Sequence, residues 1–332
     1  LSSGFGLAVA RKGGNCNGWD FHRKASPTSL TTITCTANPH HSPTGSFLLT
    51  LKKGGVMDRI LLVINAHQPD MYSIDFACSI ATLVKTKLTG LFIENPYFEE
   101  AVYTGVDSGK YFTALSRSTQ ATVIADTDQS VRLFEEECSH KGIKPDIYID
   151  HGEPIREIIF ESRFADLLII DPEISFYNRD EPLPSHFVKE ILSRAECPVL
   201  LSPKRYEGTE EIVFCYDGSA SSVFAIKQLT YLFPELANKK VLLLEVKESM
   251  KEEMLEEHKR MMDWLRQHYH SVYYHAIEGN VKDQLFDFFF LKEKMLIVIG
   301  AYGRSILSNF FHKSNADVLI RMIDLPIFIT HH

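Results

Sequence analysis

From residue 58 onward, apolar and polar positions fall into two alternating patterns. Unbroken apolar runs such as Ile60-Leu-Leu-Val-Ile64 and Met295-Leu-Ile-Val-Ile299 are what a strand buried on both faces of a parallel sheet requires. Between them lie stretches with helical spacing, such as 72–85, where Ile74, Phe76, Ala77, Ile80, Leu83 and Val84 share one side. The alternation predicts strands at 59–64, 88–93, 147–149, 167–170 and 198–201, with helices at 72–85, up to about 141, from 154 through 160, and at 187–194. Residues 95–118, aromatic and turn-rich, read as a long loop or cover.

After a short polar linker at 202–208 the same plan repeats. Strands are predicted at 212–216, 241–246, 272–277, 295–299 and 326–330, and helices at 223–232, 252–267, 281–291 and 315–323. Ser221 or Ser222 is placed to cap the first of these helices. In the helix at 252–267, Met254, Leu255, His258, Met261, Met262 and Leu265 form a core-facing stripe. Two halves with one element order make a repeat in which Asn65 corresponds to Asp217, Gly152 to Gly279, Asp171 to Gly300, Ile174 to Gly303, and Cys197-Pro198 to Leu325-Pro326. The expected fold is α/β, with two doubly wound five-stranded parallel-sheet domains at 57–203 and 209–332.

Residues 1–56 differ in kind. They are rich in Ser, Thr, Gly and Pro without a sustained period, and read as a disordered tail. Lys52-Lys53-Gly54-Gly55 before Met57 is what a translated purine-rich ribosome-binding site would give, so the native chain is expected to start at Met57. The tail carries +5, leaving −13 for the remainder of a chain whose net charge is −8. An acidic body argues against nucleic acid or an anionic membrane as the main partner. The six cysteines are scattered without a CxxC pair, which suits a reducing cytoplasm, and no apolar run approaches the length of a membrane span.

The candidate chemistry lies where ligands of doubly wound sheets sit, beyond the carboxyl ends of the first and fourth strands of a domain. In the second half those turns hold Asp217-Gly218-Ser219 and Gly300-x2-Gly303-x9-Lys313-Ser314. An aspartate can accept ribose hydroxyls, and glycines let backbone amides approach a phosphate. The bland readings are helix capping by Asp217 and a capping box over Ser314-Asn315-Ala316-Asp317. In the first half, a carboxylate at Asp171 would repel phosphate and the branched Ile174 would block the backbone, so that site reads as degenerate. Lys313-Ser314 is not a Walker A ending, because His312 stands where that loop needs glycine. His268, His270 and His275 form a weak metal candidate, and no metal site is expected. No catalytic residue is assigned.

With Val213-Phe-Cys-Tyr-Asp-Gly-Ser219, the Gly279 turn and Ile299-Gly-Ala-Tyr-Gly-Arg-Ser305 leading to Ser314, the chain from Met57 onward resembles a tandem universal stress protein. The resemblance implies the adenine nucleotide alpha hydrolase-like strand order 3-2-1-4-5, pairing through the last strand, and a role in stress adaptation. Members of that family divide into those that bind ATP and those that do not, and in the ATP-binding case Mg2+ would accompany the nucleotide. Asp217, Gly218 and Ser219 would lie at the ribose, Val246 and Ile277 near the adenine, and Gly300, Gly303, Arg304, Lys313, Ser314 and Asn315 around the phosphates. The departure from the family motif is Lys313, which stands in place of its final glycine.

The leading expectation is a cytoplasmic stress-response protein, not a dedicated enzyme and at most a slow ATP hydrolase. It would bind ATP or a related adenine nucleotide through its second half and act through unknown protein partners, with the halves paired within one chain or as a homodimer. A nucleotide-free interaction scaffold of the same fold is the alternative. An adenylating ligase or ATP pyrophosphatase is a third, disfavoured because Asp217-Gly218-Ser219-Ala220 lacks the doubled glycine of such loops.

Overall fold

The structure is a computed structural model that describes residues 19–25, 31–37, 48–51, 57–94, 127–176, 181, 183–247, 256–301 and 324–331. The chain divides into two compact units, Leu1–Gly54 and Gly55–His332. In the first, β1 (Trp19–Ala25), β2 (Thr31–Ala37) and β3 (Leu48–Leu51) form an antiparallel sheet in that order. Sequence composition predicts disorder here, and the strands depart from that expectation. Thr31, Thr32, Thr34 and Thr36 are polar but, like Ile33, β-branched, and β-branching favours a pleated backbone.

The second unit is built on a ten-stranded sheet. Its first half contributes β4 (Arg59–Asn65), β5 (Lys87–Ile93), β6 (Asp146–Asp150), β7 (Leu167–Ile170) and β8 (Val199–Leu201). Its second half contributes β9 (Glu211–Cys215), β10 (Lys240–Lys247), β11 (Ser271–Glu278), β12 (Met295–Ala301) and β13 (Ile327–His331). The order across the sheet is β11-β10-β9-β12-β13-β8-β7-β4-β5-β6, so each half follows 3-2-1-4-5 with parallel neighbours. The two fifth strands pair antiparallel, Ile327 with Leu201, Phe328 with Leu200 and Ile329 with Val199. That pairing carries one unit across the boundary expected between 203 and 209.

Helices cover both faces, as the continuous apolar strands demand. One face packs on α1 (Met71–Val84), helical residues 127–140, α4 (Ala220–Leu232) and α5 (Glu256–His268), through Leu62, Phe76, Phe134, Phe214, Met261 and Phe328 among others. The other packs on α2 (Pro154–Ser162), α3 (His186–Arg194) and α6 (Val281–Phe289), through Val63, Ile158, Ile191, Leu285 and Ile299. Of the expected stripe of α5, His258, Met261, Met262 and Leu265 are buried, while Met254 and Leu255 lie outside the described residues. Asp324 Oδ1 accepts the backbone N–H of Lys204, which pins the link between the halves beside β13. Among the described residues no helix is long and apolar enough to cross a membrane.

Candidate functional site

The carboxyl ends of β11, β10, β9 and β12 bring four of the expected site positions to one end of the second half. Cys215 is level with Leu244 and with Ile299, and Val246 pairs with Ile277. Asp217 follows Cys215 by two residues, in the turn between β9 and α4, and Gly300 lies near the end of β12, one strand over on the side away from β10. Val246 and Ile277 pack against the core layer that faces α6. Gly303, Arg304, Lys313, Ser314 and Asn315, and the expected helix at 315–323, lie outside the described residues, as does the expected loop at 95–118.

Each described member also has a local structural role. Asp217 Oδ1 accepts the Ser219 N–H at 2.9 Å, closing a turn in which Gly218 has φ 76°. Ser219 is the N-cap of α4, accepting the Ser222 N–H at 3.1 Å. The cap expected at Ser221 or Ser222 therefore lies earlier: both serines are inside the first turn, and Ser222 Oγ donates back to the Ser219 carbonyl at 2.9 Å. Gly300 is demanded by packing, since a Cβ there would sit 2.3 Å from the Ser221 carbonyl carbon and oxygen. Its bare Cα thus faces α4, which lets the helix start rest directly on β12. The hydroxyls of Ser221 and Thr330, the latter level with Gly300, are buried and have no hydrogen-bond partner among the described residues.

A buried polar cluster adjoins this end of the sheet. Glu245, one residue before Val246, is buried and receives Tyr274 Oη–H at 2.6 Å; its other oxygen lies 3.0 Å from His258 Nε2. Burial, Glu257, Glu245 and Asp217 all push the neighbouring Tyr216 phenol up, so it stays neutral. A lone acid inside the apolar run 241–246 was the available sequence signal. Of the histidine trio, His268 stacks on Trp264 at 4.0 Å and His275 lies 6.1 Å from the Phe288 ring, and the described residues hold no cluster suited to a metal ion.

The equivalent end of the first half is open. A cavity of about 480 Å³ lies between β4, β7 and the start of α1, lined by Asn65, Gln68, Asp70, Asp171, Glu173 and Lys204, with aliphatic groups below. Asn65 repeats the Asp217 turn, its Oδ1 accepting the His67 N–H at 3.0 Å. Asp70 caps α1 by accepting the Tyr72 and Ser73 N–H groups. Asp171 holds the Gly300 position, and its carboxyl is pushed up to about 6, chiefly by burial and further by Asp70 and Glu173. The positions read from sequence as a degenerate site thus border a cavity. Its sequence trace is length: five residues separate Asn65 from α1, against two between Asp217 and α4.

No family model matches the sequence, and a search of curated proteins gave no match. Solved structures do resemble it. A universal stress protein from Archaeoglobus fulgidus superposes with a TM-score of 0.59 at 13% identity, covering 83% of this chain and 97% of that one. A putative universal stress protein from Pseudomonas aeruginosa gives 0.49 at 13% identity over 83% and 93%. A universal stress protein family protein from Arabidopsis thaliana with AMP bound gives 0.29 at 15% identity, covering 43% of this chain and 94% of that one. At such identities the likeness concerns fold, and with the strand order repeated in both halves it shows that residues 55–332 have the universal stress protein fold in tandem.

Proposed function

We propose that this chain is a cytoplasmic stress-response protein that works by binding and not by catalysis. In this reading its second half takes ATP or a related adenine nucleotide, with Mg2+ alongside the phosphates. The observation that carries it is the convergence of Asp217, Val246, Ile277 and Gly300 at the carboxyl ends of four adjacent strands, where the strand order reverses. A carboxylate for ribose hydroxyls beside two aliphatic side chains for a purine ring is a coherent nucleoside seat. Gly303, Arg304, Lys313, Ser314 and Asn315 would complete it at the phosphates. Nucleotide held there would stabilise the native state and alter the surface met by protein partners.

One observation favours a second reading, a nucleotide-free scaffold of the same fold: turn closure accounts for Asp217 and helix packing for Gly300. Thermal unfolding under ATP titration separates the two. Binding to the native state raises the melting temperature with ligand concentration, and Asp217→Ala should abolish the rise. An unfolding curve indifferent to millimolar ATP leaves the scaffold reading.

A further inference from the structure

We propose that the first half has a ligand site of its own, in the cavity between β4, β7 and α1. It takes an uncharged molecule with vicinal hydroxyls, of glycoside or nucleoside size, and rejects phosphate. The volume of about 480 Å³ falls within the roughly 300–1,000 Å³ of small-molecule sites. The position is the crevice where this half-sheet reverses its strand order. Val63, Ile64 and Ile74 supply a buried aliphatic floor.

The rim decides the chemistry. Most of its charge is already engaged within the protein: both Asp70 oxygens cap α1, and Glu173 pairs with Lys204 Nζ at 2.6 Å. Asp171 Oδ1 accepts the Glu173 N–H, leaving its second oxygen. Asn65 spends only its Oδ1, and among the described residues nothing hydrogen-bonds the Gln68 side-chain amide. Among the described lining residues the uncommitted groups are thus one carboxylate oxygen each of Asp171 and Glu173, the Tyr72 hydroxyl and two amide ends. Together these accept and donate to hydroxyls, and the described residues hold no cluster suited to a metal ion. Phosphate is repelled by Asp70, Asp171 and Glu173, against which stands a single lysine already paired. Burial pushes the Asp171 carboxyl up to about 6, and a hydroxyl donor would replace the water its desolvated oxygen has lost.

Isothermal calorimetry on the full chain tests this with adenosine, a methyl riboside and AMP. Adenosine or the riboside should bind, and Gln68→Leu and Asp171→Leu should each weaken that binding at least tenfold. Binding of both probes identifies a glycoside site, and of adenosine alone a nucleoside site. If Asp171→Leu does not fold, Gln68→Leu, on the exposed rim, carries the test. The proposal is overturned if neither uncharged probe binds, if binding ignores the substitutions, or if AMP binds as tightly as adenosine through the same residues. A parallel ATP titration reports on the second half separately, so either reading can fail alone.

Discussion

Asp171 and Gly300 occupy one position of a repeated fold, and much of the difference between the halves follows from it. Where the residue is glycine, α4 begins after a two-residue turn and rests its first turn on the strand. Where it is aspartate, a longer turn precedes α1, and a cavity opens beside the carboxyl group. Neighbouring hydroxyls differ in step. Ser202, level with Asp171, shares a 2.6 Å hydrogen bond with Ser73, whereas Thr330, level with Gly300, has no partner among the described residues. A half-domain of this fold can therefore rest its first helix directly on its fourth strand or leave a cavity beside that strand, and one side chain marks the choice.

The largest test of this contrast is Gly300→Ala. With the new Cβ 2.3 Å from backbone atoms, strand and helix must separate, and chemical denaturation should register a loss of at least about 2 kcal/mol. The next is Asp171→Asn. The unfolded carboxyl titrates near about 3.9, below the folded value of about 6, so stability is lost as pH rises between the two. Removing the charge should stabilise the chain by about 2 kcal/mol at pH 8 and hardly at all near pH 3.5. Melting temperatures across that range should then show a flattened profile.

Capping sharpens the comparison at smaller scale. Ser219→Ala should cost about 1 kcal/mol in urea unfolding. Asp70→Ala should cost less at neutral pH, because losing the cap of α1 is offset by relief of the repulsion that Asp70 exerts on Asp171. Smallest is the hydroxyl pair. Ser202→Ala breaks the contact with Ser73 and should cost about 1 kcal/mol, whereas Thr330→Val removes an unpartnered hydroxyl and should be neutral or stabilise by about 0.5 kcal/mol.

The strands of both halves were legible because sheets covered on two faces write uninterrupted apolar runs, and Ile60 to Ile64 or Met295 to Ile299 admit few other readings. The start of α4 was misplaced because three serines crowd Ser219 to Ser222, and only backbone geometry tells a capping hydroxyl from one inside the first turn. Gly300 was noticed for its spacing, yet the atoms it makes room for belong to Ser221, 79 positions earlier in the chain. Asp171 was read as a residue that forbids one ligand. Its role in a cavity depends on the path of the turn before α1, which the alignment of matched positions leaves out. Strands β1 to β3 were missed because threonine counts as polar in composition but as a strand former in conformation.

The antiparallel seam between β8 and β13 has an evolutionary consequence. When such a seam joins two identical chains, every substitution appears on both sides, and a change that suits one copy is imposed on the other. Here a peptide linker holds the two sides together at high effective concentration, and each is encoded separately. The edges that would otherwise be open are covered whatever the other half becomes. Each copy can thus vary independently, one carrying glycine at its fourth strand and the other an acid, and the gene can drift toward two specificities without loosening the sheet that unites them.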